Sequence, residues 1–173
     1  PFFFGRTGYV EQMLHTLKEQ PLVVVVVGSS GSGKSSLIFA GLLPPLRYAG
    51  DWLIVDFRPG QKPFHHLAAA LLPWLDPQIS ETGRLIEAQK LAEAIWRGNI
   101  TLQAVIERIL EKHPTIKHLL LFIDQFEELY TLCSDVDDPP RFINVLLKTA
   151  QSIQEQPSVP PRILLTLRAD FIG

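Results

Sequence analysis

Cysteine is almost absent from this sequence. Cys133 stands alone among 173 residues, so no internal disulfide can form, which fits a reducing cytoplasm. Long hydrophobic runs are missing too: no stretch nears the ~20 apolar residues that a bilayer crossing needs, and no membrane partner is expected. Phe2-Phe3-Phe4 is too short for a signal-peptide core and has no basic segment before it. Neither sign of charge is in excess. Lys and Arg number 16 against 18 Asp and Glu, a net charge of −2, which gives no sign of a general nucleic-acid-binding surface. Metal-ligand patterns are lacking as well. His65 and His66 have no H-E-x-x-H spacing and no cysteine cluster near them, so a surface or packing role is expected. The acidic run Ser134 to Pro140 lacks the glycine and terminal glutamate of a calcium loop and reads as a solvated, helix-initiating segment. There are no internal repeats, and the proline-bearing joints read as connectors rather than domain boundaries.

Hydrophobic residues make up 46% of the chain and charged residues 20%, the balance of a globular protein with one full core. The sequence begins at Pro1 rather than Met and stops at Gly173, just after a strand-like run. It reads as a single partial domain, 1–173, of something longer.

One stretch organises the rest. Gly28-Ser29-Ser30-Gly31-Ser32-Gly33-Lys34-Ser35 fits G-x-x-x-x-G-K-[ST], the phosphate-binding loop. Leu22 and the valines Val23 to Val27 lead into it as a β-branched run suited to a strand buried on both faces. Ser36 to Leu43 leaves it as a short apolar helix, expected to stop at Pro44-Pro45. In such a strand–loop–helix, glycines let successive N–H groups point into one concavity, and the helix N-terminus adds partial positive charge. Lys34 then reaches the β- and γ-phosphates of a nucleoside triphosphate, and the Ser35 hydroxyl can ligate Mg²⁺.

The remaining periodicity fills in an alternating α/β chain. Val10, Met13, Leu14 and Leu17 mark a helix ending before Pro21, and Asp51 to Phe57 a second strand closed by Arg58-Pro59-Gly60. Phe64, Leu67, Ala68, Leu71 and Leu72 mark a helix broken at Pro73. From Ile79 to Lys112 the chain is helical, with one stripe of Leu85, Ala88, Leu91, Ala92 and Ile95. After a break at Gly98-Asn99, where Asn99 or Thr101 can cap, a second stripe runs through Leu102, Val105, Ile106, Ile109 and Leu110. Trp96 is assigned to packing. His118 to Ile123 is a third strand delivering Asp124 at its C-terminal end, where strands of this class line one crevice, so Asp124 can face Lys34 and Ser35. Gln125 to Tyr130 is expected to continue directly into a helix, with Glu127 or Glu128 a helix-capping acid. Phe142, Val145, Leu146, Thr149 and Ile153 mark the last helix. Arg162 to Leu167 is the fourth strand. Arg168 at its end is either a γ-phosphate contact or a surface arginine.

Taken in order, Phe3-Phe4-Gly5-Arg6, the loop Gly28 to Ser35 with Ala40-Gly41-Leu42-Leu43-Pro44, Arg58-Pro59-Gly60, Asp124-Gln125-Phe126-Glu127-Glu128-Leu129 and Thr166-Leu167-Arg168-Ala169-Asp170-Phe171 resemble the novel STAND NTPases, signal-transduction ATPases related to AAA+ proteins. The likeness spans nearly the whole chain. The D-Q-F-E-E-L and T-L-R-A-D-F strings are more particular than the phosphate loop. It implies ATP or ADP with Mg²⁺. Its nucleotide contacts would be Gly5, Arg6 and Gly28, Ser29, Ser30, Gly31, Ser32, Gly33, Lys34, Ser35 and Ser36. Ser35 and Asp124 would lie on the metal, with Arg168 as γ-phosphate sensor. Relatives often continue into a winged-helix region and WD-repeat or helical-repeat arrays that engage protein partners. Where the family usually has an acid after Gly-Arg, this chain has Thr7, so a contact from that acid is not carried over.

The expected fold is a three-layer α/β sandwich of the additional-strand type, with a mainly parallel sheet and right-handed crossovers. The family's order puts the third and fourth strands between the second and the phosphate-loop strand. A fifth strand after Gly173 would flank the phosphate-loop strand on its other side, and without it that strand is an edge. The expected function is a Mg-ATP-binding, slowly hydrolysing switch within a larger signalling or assembly protein, with a nucleotide-dependent oligomer left open. The alternatives are a nucleotide-binding scaffold with negligible hydrolysis and a DNA-loading initiator-type ATPase. An ABC transporter is disfavoured because L-S-G-G-Q is absent. Gln125, Glu127 and Glu128 are the candidates for orienting the attacking water. Gln125 stands where many related ATPases carry a glutamate, and a neutral amide is a poor proton acceptor.

Overall fold

The computed structural model describes residues 7–20, 22–27, 38–155 and 161–171. Helix α1 (Thr7–Glu19) leads to strand β1 (Leu22–Val27). Beyond residue 37 come a π-helical turn (Ile38–Leu42), α2 (Leu43–Ala49) and β2 (Trp52–Phe57). Three helices follow: α3 (Pro63–Leu75), α4 (Glu81–Arg97) and α5 (Leu102–Lys112). Strand β3 (His118–Ile123), a one-turn α6 (Glu128–Thr131), α7 (Asp138–Glu155) and β4 (Arg162–Arg168) complete the order, and a 3₁₀ turn (Ala169–Phe171) closes it.

The described strands form one sheet in the order β1-β4-β3-β2, with all three pairings parallel. That is the order expected from the sequence. The β-branched and leucine-rich runs suit it, because a parallel strand covered on both faces has no solvent side for polar residues. In β3, Leu119, Leu120, Leu121, Phe122 and Ile123 are all fully buried.

Side-chain alternation along the strands divides the core in two. Leu53, Val55, Leu119, Leu121, Ile123, Ile163 and Leu165 join the cluster made with α3, α4, α5 and α7, around the buried Phe142. Trp52, Leu120, Phe122 and Leu164 face the other way, onto Met13, Leu17, Ile38, Leu42, Leu43 and Leu46. The sheet thus holds apart two helix-covered cores, and its strand ends remain for the site.

Local signals fix most boundaries. Ser80 and Thr101 accept hydrogen bonds from the amides of Gly83 and Ala104 at 3.1 Å, so of the two cap candidates before α5 it is Thr101 that caps. Gly98 ends α4 at φ 75°, a conformation that costs glycine little.

Several expectations are corrected. Pro44-Pro45 does not stop a helix; the two prolines sit in the first turn of α2, where the missing N–H has no intrahelical acceptor to lose. Pro73 does not break α3, which runs on to Leu75. So near the end the proline forgoes one backbone bond, and Asp76 N–H still reaches Leu72 O at 2.9 Å. Leu85, read as core, is 70% exposed, because α4 buries its small side, Ala88 and Ala92, together with Ile95. The acidic run ends earlier than expected, since Asp138-Pro139-Pro140 already forms the first turn of α7. Trp96 does pack, donating its Nε1–H to Asp138 at 2.8 Å beneath the Arg141 guanidinium.

Candidate functional site

The parallel sheet brings the ends of all four strands to one edge. Register pairs Val27, the last residue of β1, with Arg168, and Phe57 with Ile123. Asp124 follows directly after β3. The strand that leads into Gly28 and the strand that delivers Asp124 are therefore separated only by β4.

Asp124 is 3% exposed, and a buried carboxylate is costly unless its oxygens are satisfied. Its surroundings answer that requirement. The Thr166 hydroxyl donates to Asp124 Oδ1 at 2.7 Å, and Arg58 Nη2 lies 3.3 Å from Oδ2. The Asp124 amide continues the β-ladder onto Phe57 O at 3.0 Å. These bonds aim the carboxylate into the strand-end edge and hold it there.

Gln125 then reverses the chain. It is the only non-glycine residue with positive φ among those described, at 55°. A left-handed glutamine is strained by about 1–3 kcal/mol and persists where its surroundings impose it. Here its amide donates to Thr166 Oγ1 at 2.9 Å and the next amide, of Phe126, to Thr166 O at 2.8 Å. Both N–H groups are spent on β4. The direct run into a helix expected from the sequence is corrected accordingly: α6 starts only at Glu128.

This turn sends the two acids apart. Glu128 Oε2 accepts from the Gly60 amide at 3.2 Å and so fastens the β2–α3 turn. Gly60 must be glycine: its φ is 56°, and a Cβ there would come within 2.6 Å of the His66 ring. Glu127 is 6% exposed, and its buried Oε2 has no hydrogen-bond partner among the described residues. A buried acceptor without a donor is an unmet demand of about 1–3 kcal/mol.

Arg168 is half-exposed and held within its own segment. Nε and Nη2 reach Asp170 Oδ1 and Oδ2 at 3.1 and 2.6 Å. Its place beside Val27 is at the root of the phosphate-loop sequence. Gly5, Arg6, Gly28, Ser29, Ser30, Gly31, Ser32, Gly33, Lys34, Ser35 and Ser36 lie outside the described residues.

The described residues contain no cluster of three or more metal-ligating side chains, and His66 serves packing, its Nδ1 lying 3.0 Å from Arg58 O. Two open clefts of about 510 and 610 Å³ flank Trp96, and neither is lined by Asp124.

Two side chains at this edge were not picked out from the sequence as site residues. Thr166 was read as part of a string and Arg58 as turn chemistry, yet both touch Asp124. Arg58 directly follows β2 and Thr166 lies within β4, the two strands that flank β3, so strand order and register together carry the signal that finds them.

The profile of the family described as Novel STAND NTPase 1 matches residues 1–173. No curated protein matches the sequence. Among solved structures, the chain is similar to a Walker-type ATPase of Pyrococcus abyssi, at 14% identity and a TM-score of 0.51 over 95% of this chain. The match spans 45% of that protein, so the likeness concerns one part of it and shows the fold alone. Among the described residues, no helix is long and apolar enough to cross a membrane. Full-length agreement with one profile, over a parallel sheet of Walker type, makes this a P-loop NTPase-type nucleotide-binding module: the chain belongs to the novel STAND NTPase 1 family.

Proposed function

We propose that this domain binds ATP with Mg²⁺ at the C-terminal edge of its sheet and hydrolyses it slowly, as the nucleotide switch of a larger signalling or assembly protein. We read it as a three-layer sandwich of the additional-strand type, with β4 as the inserted strand. The observation that carries the functional reading is the buried Asp124 carboxylate, oriented by Thr166 and one strand removed from the β1 end that enters Gly28 to Ser35.

The donor set suits the group. Mg²⁺ is a hard cation that takes oxygen ligands, and Asp124 and the Ser35 hydroxyl offer oxygen only. Held by these two residues, it would supply positive charge against the charge that develops on the transferred phosphoryl group. The chain's own residues divide the remaining work. Lys34 provides a point charge for the β- and γ-phosphates, and the Gly28–Ser35 amides cradle them. Arg168 would sense the γ-phosphate, a role supported by its pairing with Val27, the residue before Gly28. Glu127, whose buried Oε2 has no partner among the described residues, is the group able to accept a proton from an attacking water. Gln125 can orient that water by hydrogen bonds but cannot take its proton. Slow turnover follows, which suits a switch that must dwell in its ATP state.

Gln125 also favours a second reading, a nucleotide-binding scaffold with negligible hydrolysis. Titration of fluorescent ATP with and without Mg²⁺, followed by single-turnover hydrolysis, tests both. Lys34→Ala is expected to weaken binding strongly, while Lys90→Ala, which removes a surface lysine paired with Glu87, is expected to leave it unchanged. Equal titration curves for the two variants would remove the phosphate loop from the reading. Tight binding with no single-turnover product would select the scaffold.

A further inference from the structure

The turn after β4 closes on one arginine. Ala169–Phe171 is a 3₁₀ turn, and it carries Asp170 and Phe171 back onto Arg168. Asp170 takes the guanidinium along one edge: Arg168 Nε donates to Oδ1 at 3.1 Å and Nη2 to Oδ2 at 2.6 Å. The Phe171 ring centroid lies 5.7 Å from Arg168 Cζ, within cation–π reach. Of the five N–H donors of a guanidinium, this side-on grip uses only that of Nε and one on Nη2. Asp170 leaves the end-on fork of Nη1 and Nη2 to other acceptors. Strand alternation says which face of the sheet Arg168 stands on. Ile163, Leu165 and Leu167 join the core around Phe142, so Leu164, Thr166 and Arg168 share the opposite face. On that face Leu164 belongs to the cluster of Ile38 and Leu42, in the turn beyond the phosphate-loop sequence, and Thr166 holds Asp124.

We propose that Asp170 is a positioning residue: it holds the Arg168 guanidinium side-on, leaving the end-on fork for the γ-phosphate, and so sharpens the preference for ATP over ADP. The inference rests on the reading of Arg168 as γ-phosphate sensor and adds to it the residue that holds the sensor. The physical reason is entropy. Arginine carries much rotamer freedom and gives it up when it grips an anion, whereas a guanidinium held beforehand has less to lose. Its planar fork takes a carboxylate on one edge and a phosphate on another, so neither has to leave for the other to bind. Charge works the other way, since a carboxylate repels phosphate. Both side chains are partly exposed, 39% for Arg168 and 54% for Asp170, and solvent screens that repulsion. Holder and held are two residues apart on one segment, so the grip needs no distant element to close.

The test compares a fluorescent non-hydrolysable ATP analogue with fluorescent ADP, both in MgCl₂, on the parent, Asp170→Ala, Asp170→Asn, Arg168→Ala and the double variants. Asp170→Ala and Asp170→Asn should bind the ATP analogue about three- to tenfold more weakly than the parent and stay within about twofold of it for ADP. In the Arg168→Ala background the same substitutions should move neither affinity by more than about twofold, because Asp170 acts through that guanidinium. A merely structural role would persist in both backgrounds. Asp170→Asn keeps the size of the side chain and decides should the alanine variant fail to fold. Tighter binding of the ATP analogue in Asp170→Asn, an equal fall for both nucleotides, or a loss that persists without Arg168 overturns the proposal. A parent that binds no nucleotide sinks the proposed function and this proposal with it, and an Arg168→Ala variant with parent affinities sinks the sensor reading on which it rests. A selective loss in Arg168→Ala, with the Asp170 variants at the parent level, sinks this one alone.

Discussion

Thr166 offers the sharpest test of how the site is held. Its side chain is 2% exposed, and its single hydroxyl works twice, donating to Asp124 Oδ1 at 2.7 Å and accepting from the Gln125 amide at 2.9 Å. Thr166→Val keeps the shape and deletes both bonds. A hydrogen bond to a charged acceptor contributes about 1.5–3 kcal/mol, and a buried amide left without a partner costs about 1–3 kcal/mol. The two losses share one desolvated site and do not add in full. Valine returns about 0.5–1 kcal/mol through strand preference and apolar burial. The net loss is about 2–3 kcal/mol. Thr166→Ser keeps the hydroxyl and forfeits one buried methyl, about 1 kcal/mol. Urea denaturation of parent and both variants, at matched m-values, should place the valine variant lowest. In an Asp124→Asn background, the charged part of the loss disappears, and the cost of Thr166→Val should fall by about 1 kcal/mol. A valine variant as stable as the serine variant, or a cost that is the same in both backgrounds, would refute the claim that this hydroxyl holds the carboxylate.

Glu127→Gln should abolish single-turnover hydrolysis while ATP binding survives. Glu128→Gln should keep hydrolysis and lose about 1 kcal/mol or less of stability through its Gly60 contact. If Glu127→Gln hydrolyses at the parent rate, proton acceptance from the water lies elsewhere. Arg168→Ala should lower affinity for a non-hydrolysable ATP analogue and spare ADP, measured by calorimetry; a parallel fall in both, or no change in either, makes Arg168 a partner of Asp170 and nothing more. Phe142 is fully buried, edge-on to Phe57 and Phe64 at ring-centroid distances of 6.3 and 5.2 Å, so Phe142→Ala should cost about 3–5 kcal/mol in chemical denaturation. A loss below about 1 kcal/mol would mean that this core closes around the gap.

The sequence alone determined the strands, the helical stripes, the strand order through its family resemblance and the placing of Asp124 at a strand end. Those readings depend on short-range physics. A valine run resists helix, an i, i+3, i+4, i+7 stripe has one buried face, and a strand that must be covered on both sides is apolar throughout. Proline misled where position outweighed identity. Pro44-Pro45 and Pro73 look alike in a sequence, but a proline in the first turn or near the end of a helix breaks few bonds, and only the observed boundaries say which turn each one occupies. Leu85 misled because a stripe names a face without saying which of its members the neighbouring helix covers. The site was decided by tertiary structure. Thr166 and Asp124 lie 42 residues apart in the chain, and Gly60 and Glu128 lie 68 apart. What joins them is the parallel register of β2, β3 and β4. That register puts the Thr166 hydroxyl and the Arg58 guanidinium on the two oxygens of one buried carboxylate, and it bends Gln125 into the left-handed turn that sends Glu127 inward and Glu128 onto the neighbouring loop. No local propensity encodes such a meeting, because the free energy that selects it comes from contacts that exist only once the strands are side by side.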